Sequence, residues 1–129
     1  MAGNDRPSGT ILPRVDRAVL DSLIEVIGRE SVRGFLAEFQ DLAAQQRFAL
    51  QAAHEAGDLE ALYREAHNLV STSGNLGIKR TSNLADQVQR AARTHDMDLL
   101  DKAVEGLLVE LDAVVDDLPG LVKQASQVA

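Results

Sequence analysis

Apolar residues recur at steps of three and four along most of the chain, in five segments that are separated by short breaks. Side chains at this spacing share one face of an α-helix, so each segment predicts an amphipathic helix. No segment shows the strict alternation of apolar and polar residues that a half-buried strand requires. The sequence therefore predicts an all-α fold.

Polar and glycine-containing breaks supply the expected helix ends. Asp16 has the position of an N-cap for a first helix that ends at Gly28, and a second helix runs from about residue 30 to residue 56. Gly57 then closes the second helix, and Asp58 begins the third.

The later breaks complete the pattern. Gly74 and Gly77 mark the end of the third helix, and His95–Asp96 separates the fourth from the fifth. Pro119–Gly120 is expected to stop the fifth helix, because proline removes a helical hydrogen bond. The fifth helix is expected to bury Met97, Leu100, Val104, Leu107, Leu111, Val114 and Leu118.

These elements predict one helical domain. Short connections make successive helices antiparallel, so we expect the last four helices to form an up-down four-helix bundle, with the first as an additional N-terminal lid helix. The bundle is assigned to residues 14–120, after a flexible N-terminal lead-in over residues 1–13 and before a C-terminal tail over residues 121–129.

Composition excludes several classes of protein. With no cysteine, the chain has no disulfide and no thiolate metal site. A net charge of −7 and only four aromatic residues argue against a nucleic-acid partner, although residues 64–93 carry five basic and two acidic side chains. No apolar run is long enough for a membrane span and no signal-peptide core is present, so we expect a cytoplasmic protein.

His67 is the candidate for chemistry. It lies on the third helix, roughly 120° from the centre of the apolar seam. The residues that follow on its own flank, Ser71 and Gly74, are small, which clears an approach for a partner protein. A neutral imidazole offers a nucleophilic nitrogen near neutral pH. A lone histidine on a helix is more often without a function, so the surrounding motif decides.

The stretch from Ala66 to Gly77 resembles the motif of the histidine-phosphotransfer (HPt) domain family of two-component phosphorelays, AH-x-L-K-G-(small)-(small)-x-x-(L/V)-G. The residues that fit, with the spacing intact, are Ala66, His67, Leu69, Thr72, Ser73, Gly74, Asn75, Leu76 and Gly77. The Gly57–Asp58 turn, the segment from Phe35 to Phe39 and the fourth helix also resemble the family.

The resemblance implies a phosphorelay intermediate. His67 would accept a phosphoryl group from a receiver-domain aspartate and pass it to another receiver. The expected partners are response-regulator receiver domains, a hybrid histidine kinase, or both. Mg²⁺ is expected on the receiver, so this chain would need no cofactor or metal of its own. It would be a phosphocarrier without a nucleotide-binding site, and the first helix with the upper parts of the second and third would frame the docking surface.

The sequence departs from the family at two positions. Val70 stands where the family has lysine, and Ser71 stands where it has glycine. The lost positive charge could come from Arg64, from Lys79 and Arg80, or from the partner. The residues expected to contact the phosphoryl group or the partner are Tyr63, Arg64, Val70, Ser71, Gly74, Lys79 and Arg80.

These departures leave an alternative open. A degenerate module could bind receiver domains as a helical adaptor without carrying phosphate. A metal enzyme is disfavoured, because His54 and His95 do not pair with His67 at helical spacing and no Glu-x-x-His motif occurs. We expect a monomer, although an exposed apolar face on the first helix could pair two copies.

Overall fold

Five α-helices make up the fold. The computed structural model describes the backbone of residues 14–127 and the side chains of residues 14–120, and no strand occurs within this range. The helices are α1 (Arg17–Ile27), α2 (Arg29–Ala56), α3 (Leu59–Asn75), α4 (Lys79–Thr94) and α5 (Met97–Gln127). The all-α prediction is confirmed. The expected flexible lead-in, residues 1–13, lies outside the described residues.

Local capping explains where the helices begin and end. The Asp16 carboxylate accepts hydrogen bonds from the first backbone N–H groups of α1, and the Asp58 carboxylate does the same at α3. Gly57 ends α2 in the left-handed region, with a φ of 68°. His95 ends α4 with a φ of 58°, and Asp96 caps α5 by accepting from the N–H of Leu99. These predicted breaks are confirmed.

Helices α2 to α5 form the predicted antiparallel bundle. Within the α2–α5 pair, His54 contacts Asp101, whereas Gln40, much earlier on α2, contacts Val115. The core consists mainly of aliphatic side chains from these helices and from the turn before α4. Its largest fully buried members are Leu36, Leu50, Leu62, Leu69, Ile78, Leu100, Leu107, Leu111 and Leu118. Burying each leucine stabilises the fold by roughly 1.5–3 kcal/mol before entropy is counted.

Helix α1 is the additional helix, and its start is fixed to the α3–α4 turn. The backbone N–H of Asp16 donates to the carbonyl of Gly77 (2.7 Å). Gly77 has a φ of 74°, and a Cβ at this position would lie 3.0 Å from both the Asp16 carbonyl oxygen and the Val19 Cβ. Glycine is therefore required both for the backbone conformation and for the close approach of α1.

An ion cluster fastens the residues before α1 to the bundle. The Arg14 guanidinium bonds Glu110 and Asp117 of α5, and Arg80 of α4 lies 3.6 Å from Glu110. The hydrogen bonds that Arg14 donates to Glu110 raise the pKa of Arg14 above its usual value, so Arg14 stays charged. Glu110 is only 6% exposed, and its two arginine neighbours compensate its buried charge.

The predicted end of the last helix is wrong. Pro119 lies inside α5, which continues to Gln127 through most of the expected tail. A proline leaves the carbonyl four residues earlier without its helical donor, and here that carbonyl belongs to Val115. The side chain of Gln40 donates to the Val115 carbonyl (3.3 Å), so α2 supplies the missing hydrogen bond.

The burial prediction for Met97 is also wrong, because this residue is 48% exposed at the start of α5. Met97 is the first residue of α5, directly after the break at residues 95–96. The other six residues expected inside α5 are buried.

We expect Gln40→Ala to lower the free energy of unfolding by about 1–2 kcal/mol, because the Val115 carbonyl loses its donor. In a Pro119→Ala background the same change should cost less, since the alanine restores a backbone N–H for that carbonyl. Urea denaturation of the wild type, the two single variants and the double variant gives the coupling energy between positions 40 and 119. Additive effects of the two substitutions would contradict this account.

Candidate functional site

His67 projects from the outer side of α3. The residues of α3 that face the core, Leu62, Ala66, Leu69 and Ser73, are buried, whereas His67 is exposed. The prediction that His67 lies on an accessible flank of the third helix therefore agrees with its position.

A chain of side chains on α4 holds the His67 ring. Nδ1 of His67 lies 3.0 Å from Oε1 of Gln89, and Nε2 of Gln89 donates to Oδ1 of Asp86 (2.7 Å). Arg90 pairs with the other carboxylate oxygen of Asp86 at 2.8 Å. The Asp86 carboxylate accepts only, so the Gln89 amide must present its NH₂ group to Asp86 and its oxygen to His67.

This chain of hydrogen bonds assigns the tautomer of His67. Because the Gln89 oxygen cannot donate, Nδ1 of His67 must carry the proton. Nε2 of the neutral ring then keeps its lone pair and has no hydrogen-bond partner among the described residues. Nε2 is therefore the ring nitrogen that is free to act as a nucleophile.

Tyr63 supports the ring from the preceding turn. The rings of Tyr63 and His67 are stacked, with centroids 5.8 Å apart and planes 11° from parallel. Stacking and the Gln89 hydrogen bond act from different directions, so together they restrict both rotation and tilt of the imidazole.

The direction of Nε2 follows from the helix geometry. Residues advance about 100° around a helix, so Arg64 and Ser71 lie about 40–60° to one side of His67 and Val70 about 60° to the other. Helix α4 packs on the Val70 side, where the Ser82 hydroxyl donates to the Val70 carbonyl (3.0 Å). Since Nδ1 points toward α4, Nε2 faces the flank that carries Arg64 and Ser71.

Gly74 has a packing role as well as a small size. A Cβ at this position would lie 3.3 Å from the Ser82 hydroxyl oxygen, which is tighter than ordinary van der Waals contact. This glycine therefore leaves room for Ser82 between α3 and α4, in addition to keeping the flank beside His67 clear. Ser71, one turn closer to His67, is exposed.

The structure separates the basic residues that the sequence groups together. Lys79 lies 3.7 Å from Asp16, in a groove of about 390 Å³ between α1, α3 and α4. Arg80 pairs with Glu110 toward α5. Arg64 is exposed on the flank that Nε2 faces, and it makes no ion pair within 4.0 Å with another side chain of residues 14–120.

An apolar groove lies on the same side of α3 as Nε2. Its volume is about 540 Å³, and it is lined by Leu23, Ile27, Phe35, Glu38, Phe39, Leu42, Thr72, Asn75 and Leu76. Its lining therefore comes from α1, α2 and the C-terminal part of α3. Phe35 is 46% exposed at this groove, and Ile27 is 39% exposed.

The other two histidines lie elsewhere. His54 contacts Asp101 (2.7 Å) between α2 and α5, and His95 forms the turn after α4. Neither joins the hydrogen bonds around His67.

Comparisons with known proteins find matches in sequence and in fold. The Hpt domain family model matches residues 30–120. Histidine-containing phosphotransfer protein B (HptB) from Pseudomonas aeruginosa PAO1 is similar in structure, with a TM-score of 0.78 and 25% identity over 88% of this chain and 98% of that one. The histidine-containing phosphotransfer domain of ArcB from Escherichia coli shares the fold, with a TM-score of 0.73 and 21% identity over 93% and 99% of the two chains. No curated protein sequence matches.

Gln89 and Asp86 are the site residues that the sequence analysis missed. Both lie on α4, more than eighteen residues from His67, in an ordinary polar stretch. Their helical spacing shows that they share a face, but only the register between α3 and α4 shows that this face meets His67.

We expect Gln89→Leu to reduce the fraction of His67 that carries its proton on Nδ1, because the acceptor at Nδ1 is lost. The ¹⁵N chemical shifts of the His67 ring report the tautomer directly. Gln87→Leu is the matched control, since Gln87 is exposed on α4 and bonds Asn83 instead. An unchanged tautomer in Gln89→Leu would contradict the assignment of the hydrogen bond.

Proposed function

This chain belongs to the Hpt domain family, whose members have a phosphotransfer role in two-component signalling, and we propose that it is a phosphorelay intermediate that carries the phosphoryl group on Nε2 of His67. In this proposal His67 receives the group from a receiver-domain aspartate and passes it to a second receiver. The observation that carries the proposal is the exposed imidazole whose Nδ1 is bonded to Gln89 and whose Nε2 has no partner among the described residues.

The transfer balances with the groups at the site. Nε2 of His67 attacks the phosphorus of the aspartyl phosphate, so that an N–P bond forms while the P–O bond to the aspartate breaks. The aspartate leaves as a carboxylate with the bonding electron pair. The proton stays on Nδ1, where it donates to Gln89. The positive charge that the ring gains is balanced by the negative charge that the leaving aspartate carboxylate gains. The reverse reaction delivers the group to the next receiver.

Most of the catalytic groups would belong to the receiver. The loose transition state of phosphoryl transfer gains mainly from positioning and from charge stabilisation. We propose that the receiver brings Mg²⁺ to the phosphoryl oxygens, while this chain positions the nucleophile through Gln89 and Tyr63.

The apolar groove between α1, α2 and α3 is the proposed receiver-docking surface. It opens beside the flank that Nε2 faces, so a receiver bound there can bring its aspartate toward His67. Partly exposed Phe35 and Ile27 offer apolar area of the kind that forms the centre of protein interfaces. Because the proposal assigns this surface to receivers, we expect the free chain to be a monomer.

The second candidate function is a receiver-binding adaptor that carries no phosphate. The observation that favours it is Val70, which occupies the position of the family's lysine and is half-buried against α4. The adaptor would use the same docking surface, so transfer of phosphate distinguishes the two functions and binding does not.

We expect the purified chain to gain an acid-labile, base-stable phosphate when it is incubated with phosphorylated receivers and Mg²⁺. His67→Gln should abolish this label, because amide nitrogen is not a nucleophile for phosphorus, whereas His54→Gln should keep it. Label that persists in His67→Gln would contradict the assignment of His67. Binding of receivers with no label in the wild-type chain would establish the adaptor.

We expect Phe35→Ala to slow transfer from a receiver by about tenfold when the receiver is well below saturation, because a large apolar contact is lost. Phe48→Ala is the matched control, since Phe48 also lies on α2, is 76% exposed and does not line the groove. Rates of label transfer measure both variants. Equal effects of the two substitutions would place the docking surface elsewhere.

A further inference from the structure

We infer that Arg64 is the residue that supplies positive charge to the phosphorylated His67, in place of the lysine that the family has at position 70. The inference rests on the proposed phosphocarrier function. A phosphoryl group brings about two negative charges to an exposed position, and a nearby cation stabilises the loaded state. Val70 cannot supply that cation, and once the receiver has dissociated only another residue of the chain can do so.

The hydrogen bond between His67 and Gln89 determines on which side of α3 a phosphoryl group would lie. Nδ1 is bonded to Gln89 on α4, so a group on Nε2 extends to the opposite side of the ring, where Arg64 lies. Side chains of an α-helix also lean toward its N-terminus, which carries the His67 ring over the preceding turn. The stacking of His67 on Tyr63 shows this lean directly. Arg64 is adjacent to Tyr63 on that turn.

The other basic residues near the site are bound elsewhere. Lys79 pairs with Asp16 in the groove on the α4 side, and Arg80 pairs with Glu110 toward α5. Arg90 pairs with Asp86, where it helps to orient Gln89. Lys79 and Arg90 therefore lie on the side of the His67 ring that carries Nδ1, and Arg80 faces away from the ring.

Two more charged residues of this region, Arg93 and Glu60, are exposed. Arg93 lies on α4, one turn beyond Gln89, and is exposed like Arg64, but it is on the Nδ1 side. Glu60 lies one turn before Arg64 on α3 and makes no ion pair with it within 4.0 Å. The Arg64 guanidinium is therefore paired with no carboxylate in the described part of the chain. Its positive charge would also reduce the repulsion between Glu60 and the phosphoryl group.

The test measures an equilibrium between this chain and one receiver. At low protein concentration the two proteins are mostly unbound, so the equilibrium ratio of phosphorylated His67 to phosphorylated receiver depends only on the free energies of the unbound proteins. A change in the affinity of docking therefore does not alter this ratio. We expect Arg64→Gln to shift this ratio toward the receiver by about three- to fivefold, the size expected for an exposed ion pair. Arg64→Lys should stay near the wild-type ratio, and Arg93→Gln should change it by less than about twofold.

Two further measurements, at different ionic strengths and with a second substitution, distinguish an effect of charge from an effect on structure. The shift caused by Arg64→Gln should shrink when the ionic strength rises from about 0.05 M to about 1 M, because exposed charges are screened. Val70→Lys should restore the ratio in the Arg64→Gln chain only in part, because position 70 lies on the α4 side of the ring. A purely structural role of Arg64 would produce neither response.

The outcomes separate this inference from the proposed function. If Arg64→Gln carries the label at the wild-type ratio, or if Arg93→Gln shifts the ratio more, Arg64 is not the charge-compensating residue, and the phosphocarrier function stands. If the wild-type chain takes no label from any receiver, the proposed function fails, and the inference fails with it. Circular dichroism of each variant verifies that the fold is intact.

Discussion

The close packing of α3 against α4 is the constraint on which the site depends. Small residues line this contact: Ala66 and Ala85 are fully buried, and Gly74 leaves the space that Ser82 occupies. The Ser82 hydroxyl bonds the Val70 carbonyl and so links the two helices directly. With the helices this close, the Gln89 side chain reaches His67, and the ring acquires a fixed tautomer and a fixed direction.

That direction gives the two sides of His67 different roles. The α4 side holds the proton and orients the ring, through Gln89, Asp86 and Arg90. The opposite side presents Nε2 beside Arg64, close to the apolar groove between α1, α2 and α3. Nucleophile, docking surface and compensating charge therefore share one flank of the molecule in our proposal.

Local features allowed most of the helix ends to be predicted. Asp16, Gly57 and Asp58 act through hydrogen bonds or backbone angles within one turn, so their effect is visible in a short stretch of sequence. Pro119 follows an equally local rule, yet α5 continues through it. The Gln40 side chain, which comes from another helix, bonds the carbonyl that the proline leaves open. A rule about local hydrogen bonds fails where a distant residue supplies the partner.

The five helices, the buried seam of α3 and the exposure of His67 could be predicted from the sequence, because each follows from helical periodicity and short-range capping. The motif around His67 also indicated the family. The residues that surround this histidine depend instead on how the helices pack. Gln89 and Asp86 could not be identified beforehand, because the register between antiparallel helices depends on packing over their whole length. For the same reason Lys79, Arg80 and Arg64 looked equivalent in the sequence, and only the arrangement of α1, α4 and α5 around α3 separates the first two from the third.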